Sequence, residues 1–134
     1  MNDELFENWA ELPSLKDATT AEIAEAARAV LDAKKANDVA VIPVEGRSDI
    51  TDCLVLATGN AGPHVKALAA EVEYRLSLRG LTPLHTDGFT TRSWQVVDYG
   101  TVMVHVFDQQ TREFYNLDKL YKEPTPKANS EETV

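Results

Sequence analysis

The sequence predicts an α/β (α+β) architecture: one small mixed β-sheet flanked by helices. Three observations carry that prediction. Two apolar stripes, Ile23–Ala27–Val30–Leu31 and Val65–Leu68–Ala69–Val72–Leu76, recur at helical spacing. Two short runs rich in branched apolar residues, 39–44 and 53–58, have the length and composition of strands. A further pair of alternating runs, 94–98 and 101–107, meets at Tyr99-Gly100 as an antiparallel hairpin. The 134 residues fit one domain, large enough to bury a core without disulfide or metal staples.

Each element has its own local signals. Leu5, Phe6, Trp9 and Leu12 lie near one helical face, so Met1 to Lys16 reads either as a short acidic amphipathic helix ended by Pro13 or as a loosely ordered terminus. Thr19-x-x-Glu22 is a capping box, and the helix it opens should close near Lys34-Lys35, where cations favour the negative end of the helix dipole. Val39 to Val44 reads as a strand whose near-continuous apolarity suits burial on both faces. Pro43 cannot donate to a ladder and puts part of that strand at an edge or bulge. Glu45 to Asp49 is a polar turn before the strand Cys53–Thr58.

Gly59-Asn60-Ala61-Gly62-Pro63 then breaks the chain, with Asn60 as a candidate cap and Pro63 suited to a first helical turn. Gly80 ends the second helix, and Thr82 to Thr86 reads as a short strand. After the hairpin, 111–115 and 118–121 read as two short helices. From Glu123 the chain is polar and Pro-containing, which predicts a disordered tail over 123–134. An acidic segment, 1–17, precedes the domain at 18–122.

Charge narrows the function classes. Thirteen Lys and Arg against twenty-two Asp and Glu leave a net charge of −9. Such a chain repels phosphate, so direct nucleic-acid reading and anionic membranes are disfavoured, and a basic protein is the partner that its field would steer inward. The acidic start, Met1-Asn2-Asp3-Glu4, is unlike a secretory or transit signal. No apolar run approaches the roughly 20 residues of a membrane span, so a cytoplasmic protein is expected. Cys53 is the only cysteine, which excludes an intramolecular disulfide and a multi-cysteine zinc site.

Four constellations bear on chemistry. Ser48-Asp49-Ile50-Thr51-Asp52 offers oxygen ligands suited to magnesium, but lacks a third acid at a defined spacing and reads more simply as a turn that satisfies its own backbone. Ala57-Thr58-Gly59-Asn60 runs from strand through glycine into helix, where backbone N–H groups can cradle an anion, yet it has neither a G-x-G-x-x-G pattern nor a P-loop lysine. Cys53 with His64, His85 or His105 would make a nucleophile pair, but nothing in the spacing brings them together. No catalytic residue, cofactor or metal is therefore assigned, and a nucleotide- or metal-binding enzyme stands as the alternative.

The fourth constellation is Trp94, Tyr99, His105, Phe107, Phe114 and Tyr115, with Arg92, Asp98 and Arg112 among them. On the hairpin, Val102, Val104 and Val106 form the natural core face. Met103, His105 and Phe107 form the other, which is either an interface or a second core under the terminal helices.

From about Ala21 to Tyr121 the chain resembles the ribosomal silencing factor (Iojap) family. The matching segments, in order, are Asp52 to Asn60, His64 to Ala69, Trp94 to Gly100, Val104 to Phe107 and Thr111 to Leu117. Cys53 and Pro63 depart from the family's usual residues. The resemblance implies a fold similar to nucleotidyltransferases without their catalytic residues, and therefore no enzyme. It also implies a factor that binds the large ribosomal subunit through a ribosomal protein, the fourteenth of that subunit, on the face that meets the small subunit. There it would block subunit joining, repress translation and aid large-subunit maturation, with a homodimer when free. By the same resemblance, Trp94, Asp98, Tyr99, His105, Phe107, Arg112 and Tyr115 would lie on or beside the contact surface.

Overall fold

The structure, a computed structural model, describes residues 11–88 and 93–122, the side chains of 120–122 excepted. Among the described residues five strands form one sheet: β1 (Asn37–Pro43), β2 (Cys53–Thr58), β3 (His85–Asp87), β4 (Trp94–Asp98) and β5 (Val102–Phe107). Their spatial order is β1-β2-β5-β4-β3. Only β2 and β5 run parallel, and the other three pairings are antiparallel, so the sheet is mixed as the sequence predicts. Every residue of β2 is buried, as its unbroken apolar run requires.

β1 corrects the expectation of burial on both faces. It is an edge strand, and of its seven residues only Ile42 is buried. Pro43 explains the placement, since a residue without an N–H is tolerated where no further strand pairs. The strand also starts two residues early, with a register shift between Asn37 and Ala40.

Helix α1 (Thr20–Ala33) begins with the predicted capping box. The Thr19 hydroxyl accepts from the Glu22 N–H at 3.1 Å, and the Glu22 carboxylate accepts from the Thr19 N–H at 2.9 Å. Helix α2 (Gly62–Ser77) differs from expectation at its start: Ala61 is the cap residue and no side chain caps it. Asn60 is committed elsewhere. Its N–H donates to His64 Nδ1 at 2.9 Å, and its side-chain oxygen accepts from Asn37 Nδ2 at 2.6 Å. His64 Nε2 lies 3.3 Å from the Lys34 carbonyl, so this imidazole ties the start of α2 to the end of α1.

Both long helices cover one face of the sheet. Ile23, Ala27, Val30 and Leu31 of α1 and Val65, Leu68, Val72 and Leu76 of α2 enclose Val55, Val97, Val102, Val104 and Val106. The opposite face carries a smaller cluster, Ile42, Val44, Leu54, Leu56 and Phe107. Two short helices, α3 (Gln109–Tyr115) and α4 (Leu117–Lys122), follow β5, and Leu117 packs against that second cluster. The amphipathic pattern of the first residues and the tail over 123–134 lie outside the described residues. Residues 13–18 hold no helix, and Leu15 is buried in the main core.

Candidate docking surface

The hairpin positions the side chains that the aromatic stretch supplies. Its register sets Trp94 opposite Phe107, Val96 opposite His105 and Asp98 opposite Met103. Strand alternation then places all six on the face that α1 and α2 leave uncovered. The turn is fixed by Asp98, whose carboxylate accepts from the Gly100 N–H at 2.8 Å, and by the Tyr99 N–H, which donates to the Val102 carbonyl at 2.8 Å. Gly100 sits at φ +91°, where an L side chain would be strained.

An aromatic cluster occupies this face. The Trp94 ring lies 4.6 Å from Tyr115, 5.1 Å from Phe107 and 5.9 Å from His105, centroid to centroid. His105 stacks on Phe107 at 12°, and Phe114 meets Tyr115 edge to face at 5.0 Å. The Trp94 indole N–H donates to His105 Nδ1 at 3.0 Å, which requires a neutral imidazole with its proton on Nε2. Burial holds the His105 pKa down to about 4 against the opposing pull of Asp98, so the acceptor persists at neutral pH. The cluster grades from buried to exposed. Phe107 has no accessible surface, Trp94 is half-buried, Tyr115 is 51% exposed and Phe114 is 79% exposed.

The seven residues implied by the resemblance thus separate. Trp94, His105, Phe107 and Tyr115 come together, and Asp98 shares their face at the other end of β4. Phe107 is covered completely and supports the rings above it. Tyr99 goes to the opposite face, an odd number of positions from Trp94, and is buried in the core under the long helices. Burial, with the Glu73 carboxylate, pushes its phenol pKa up.

Arg112 is buried and committed inside the protein. It donates twice to Asp118, at 2.7 and 3.0 Å, and Nη1 donates to the Asp38 carbonyl at 2.6 Å and the Thr58 hydroxyl at 2.9 Å. Arg92 lies outside the described residues. Phe114 is the exposed ring that the set leaves out. Its signal was adjacency to Tyr115 on a helix, where neighbours point about 100° apart, so that one ring covers Trp94 and the other faces solvent.

The rival chemical motifs are spent on structure. The Gly59 N–H donates to the Phe107 carbonyl at 2.8 Å and the Asn60 N–H to His64, so these amides are not free for an anion. A Cβ at Gly59 would sit 2.8 Å from Val65 N and Cγ2, which explains the glycine by close helix–strand packing. Ser48 accepts from the Ile50 N–H at 3.2 Å as a local turn, and among the described residues no group of acids, histidines and cysteine could hold a metal. Cys53 is buried, and desolvation raises its thiol pKa, opposite to what a nucleophile needs. Among the described residues no helix is long and apolar enough to cross a membrane.

Comparison with known proteins decides the lineage. The family model described as "Ribosomal silencing factor during starvation" matches residues 17–133. The chain belongs to this family. A ribosomal silencing factor from Bacillus subtilis is 35% identical over 99 residues, covering 74% of this chain and 84% of that one. A mouse relative named "Mitochondrial assembly of ribosomal large subunit protein 1" is 28% identical over 95 residues, covering 69% of this chain and 42% of its own. A crystal structure from Chromobacterium violaceum superposes with a TM-score of 0.75 at 28% identity, over 81% of this chain and 90% of the other. A second, from Bacillus halodurans, gives 0.67 at 32% identity, over 75% and 94%. Family membership associates the protein with the ribosome and with regulation of translation.

Proposed function

We propose that this protein works without chemistry, by occupying the large ribosomal subunit through one of its proteins and excluding the small subunit. The observation that carries the reading is the exposed Phe114–Tyr115 pair beside Trp94, on the sheet face that the long helices leave open. Amphipathic aromatics that exclude water at the centre of a contact supply most of the affinity in protein interfaces. Asp87 and Asp98 share that sheet face by register, and Glu113 precedes Phe114, so the surroundings are acidic. With a net charge of −9, the protein is drawn to a basic protein surface and kept from bare RNA.

An interface of standard size hides about 800 Å² on each partner. Placed where the small subunit docks, such a footprint makes joining wait for release. A dissociation constant of about 10 nM would correspond to roughly 11 kcal/mol, so abundance of the factor would set the degree of repression. Residues 18–122 form the working unit of this proposal. Sedimentation of purified subunits tests it: the protein should co-migrate with large subunits and reduce the joined fraction when small subunits are added. Absence from the large-subunit fraction, with joining unchanged, would overturn the proposal.

A further inference from the structure

Three unusual local features converge on Arg112. The first is the guanidinium itself, buried with four hydrogen bonds that reach α4, β1 and β2 from α3. The second is Asp38, a non-glycine residue at φ +51° inside the register shift of β1. This bulge aims the Asp38 carbonyl at Nη1 instead of along the ladder. The third is Asn116, in the left-handed region at φ +51° between α3 and α4. That turn brings Asp118 back onto Arg112, six positions away, as a fork-to-fork pair.

Neither short helix, at seven and six residues, is stable by itself in water. Leu117 supplies one apolar anchor and Tyr115 another, but apolar contacts of this kind do not fix the rotation of a two-turn helix. A planar fork with partners on three other elements does fix it.

We infer that Arg112 is a positioning residue: its guanidinium clamps α3 and α4 to the sheet so that Phe114 and Tyr115 stand beside Trp94 for docking. The inference rests on the docking surface proposed above. It assigns the arginine and the β1 bulge a role in partner binding although neither touches the partner.

A double-mutant cycle on the full chain tests it. Large-subunit affinity is measured for Arg112→Lys and, separately, for Asp118→Asn, each alone and in a Phe114→Ala/Tyr115→Ala background. Lysine keeps the charge and loses the fork, and Asp118→Asn keeps the size of the partner. Each alone should weaken binding about 10-fold while accelerating amide exchange in 109–122 and leaving 53–58 unchanged. In the alanine background the same changes should alter affinity less than about twofold, because the rings through which Arg112 acts are gone. An equal loss in both backgrounds, or no loss in either, overturns the clamp. Failure of the docking surface itself is distinguishable: the Phe114→Ala/Tyr115→Ala protein would then bind as tightly as the parent, and the clamp would fall with it.

Discussion

The two faces of the sheet are built from the same strands and end in different surfaces. On the face beneath α1 and α2, Val55, Val102, Val104 and Val106 have no accessible surface, and two helices of fourteen and sixteen residues seal them. On the other face Phe107 and Met103 join the smaller cluster of Ile42, Val44, Leu54 and Leu56, on which Leu117 of the short α4 packs, and burial fades outward from Phe107 through Trp94 to Phe114. β5 thus closes one core with its valines, and with His105 and Phe107 it supports the rings that Trp94 and α3 carry above it. A strand whose stability is secured on one side is free to present large amphipathic side chains on the other. The difference also shows that the distinctive surface of this fold is a shape, held by packing.

Substitutions that separate support from display sharpen this contrast. The largest effect on stability is expected for Phe107→Ala, which empties a fully enclosed site and should lower unfolding free energy by about 3–5 kcal/mol in urea denaturation. A loss below about 1 kcal/mol would mean that the second cluster is not a core.

Next comes pH. The His105 pKa lies near 4 when folded, against 6.5 ordinarily, so the unfolded chain binds the proton more readily between those values. Its contribution therefore falls as pH drops from about 6.5 toward 4, by up to about 3 kcal/mol. Subtracting the stability profile of His105→Asn isolates this loss from the carboxylates that titrate nearby. A difference that is flat across the window would place the imidazole in water.

The smallest stability effect belongs to Phe114→Ala, within about 0.5 kcal/mol, because its ring is mostly in solvent. A melting temperature several degrees lower would make Phe114 part of the core instead of the display.

The sequence made much of this legible through local signals. The capping box at Thr19, both helical stripes and the hairpin around Tyr99-Gly100 each combine a period with a punctuating residue, and each stands where its signal lies. What escaped depends on neighbours far along the chain. Apolarity in 39–44 cannot distinguish a central strand from an edge strand, and only the pairing order reveals that β1 has one neighbour. Asn60 has the chemistry of a cap, but its side-chain oxygen accepts from Asn37, 23 positions earlier, instead. Arg112 reads as a surface cation until Asp38, 74 positions earlier, and Asp118 are seen to enclose it. The resemblance places Tyr99 beside Trp94 on the contact surface, yet strand parity sets it on the opposite face, where it is buried in the main core.

The contrast between the faces is tested most directly by large-subunit affinity of two surface variants. Phe114→Ala/Tyr115→Ala alters the open face, and Tyr74→Ala alters an exposed ring on α2. The expected result is a loss of about 30-fold or more for the first, the scale of an aromatic hot spot, and less than about twofold for the second. The reverse order would put the ribosome-facing surface on the helices and contradict the assignment of the open sheet face.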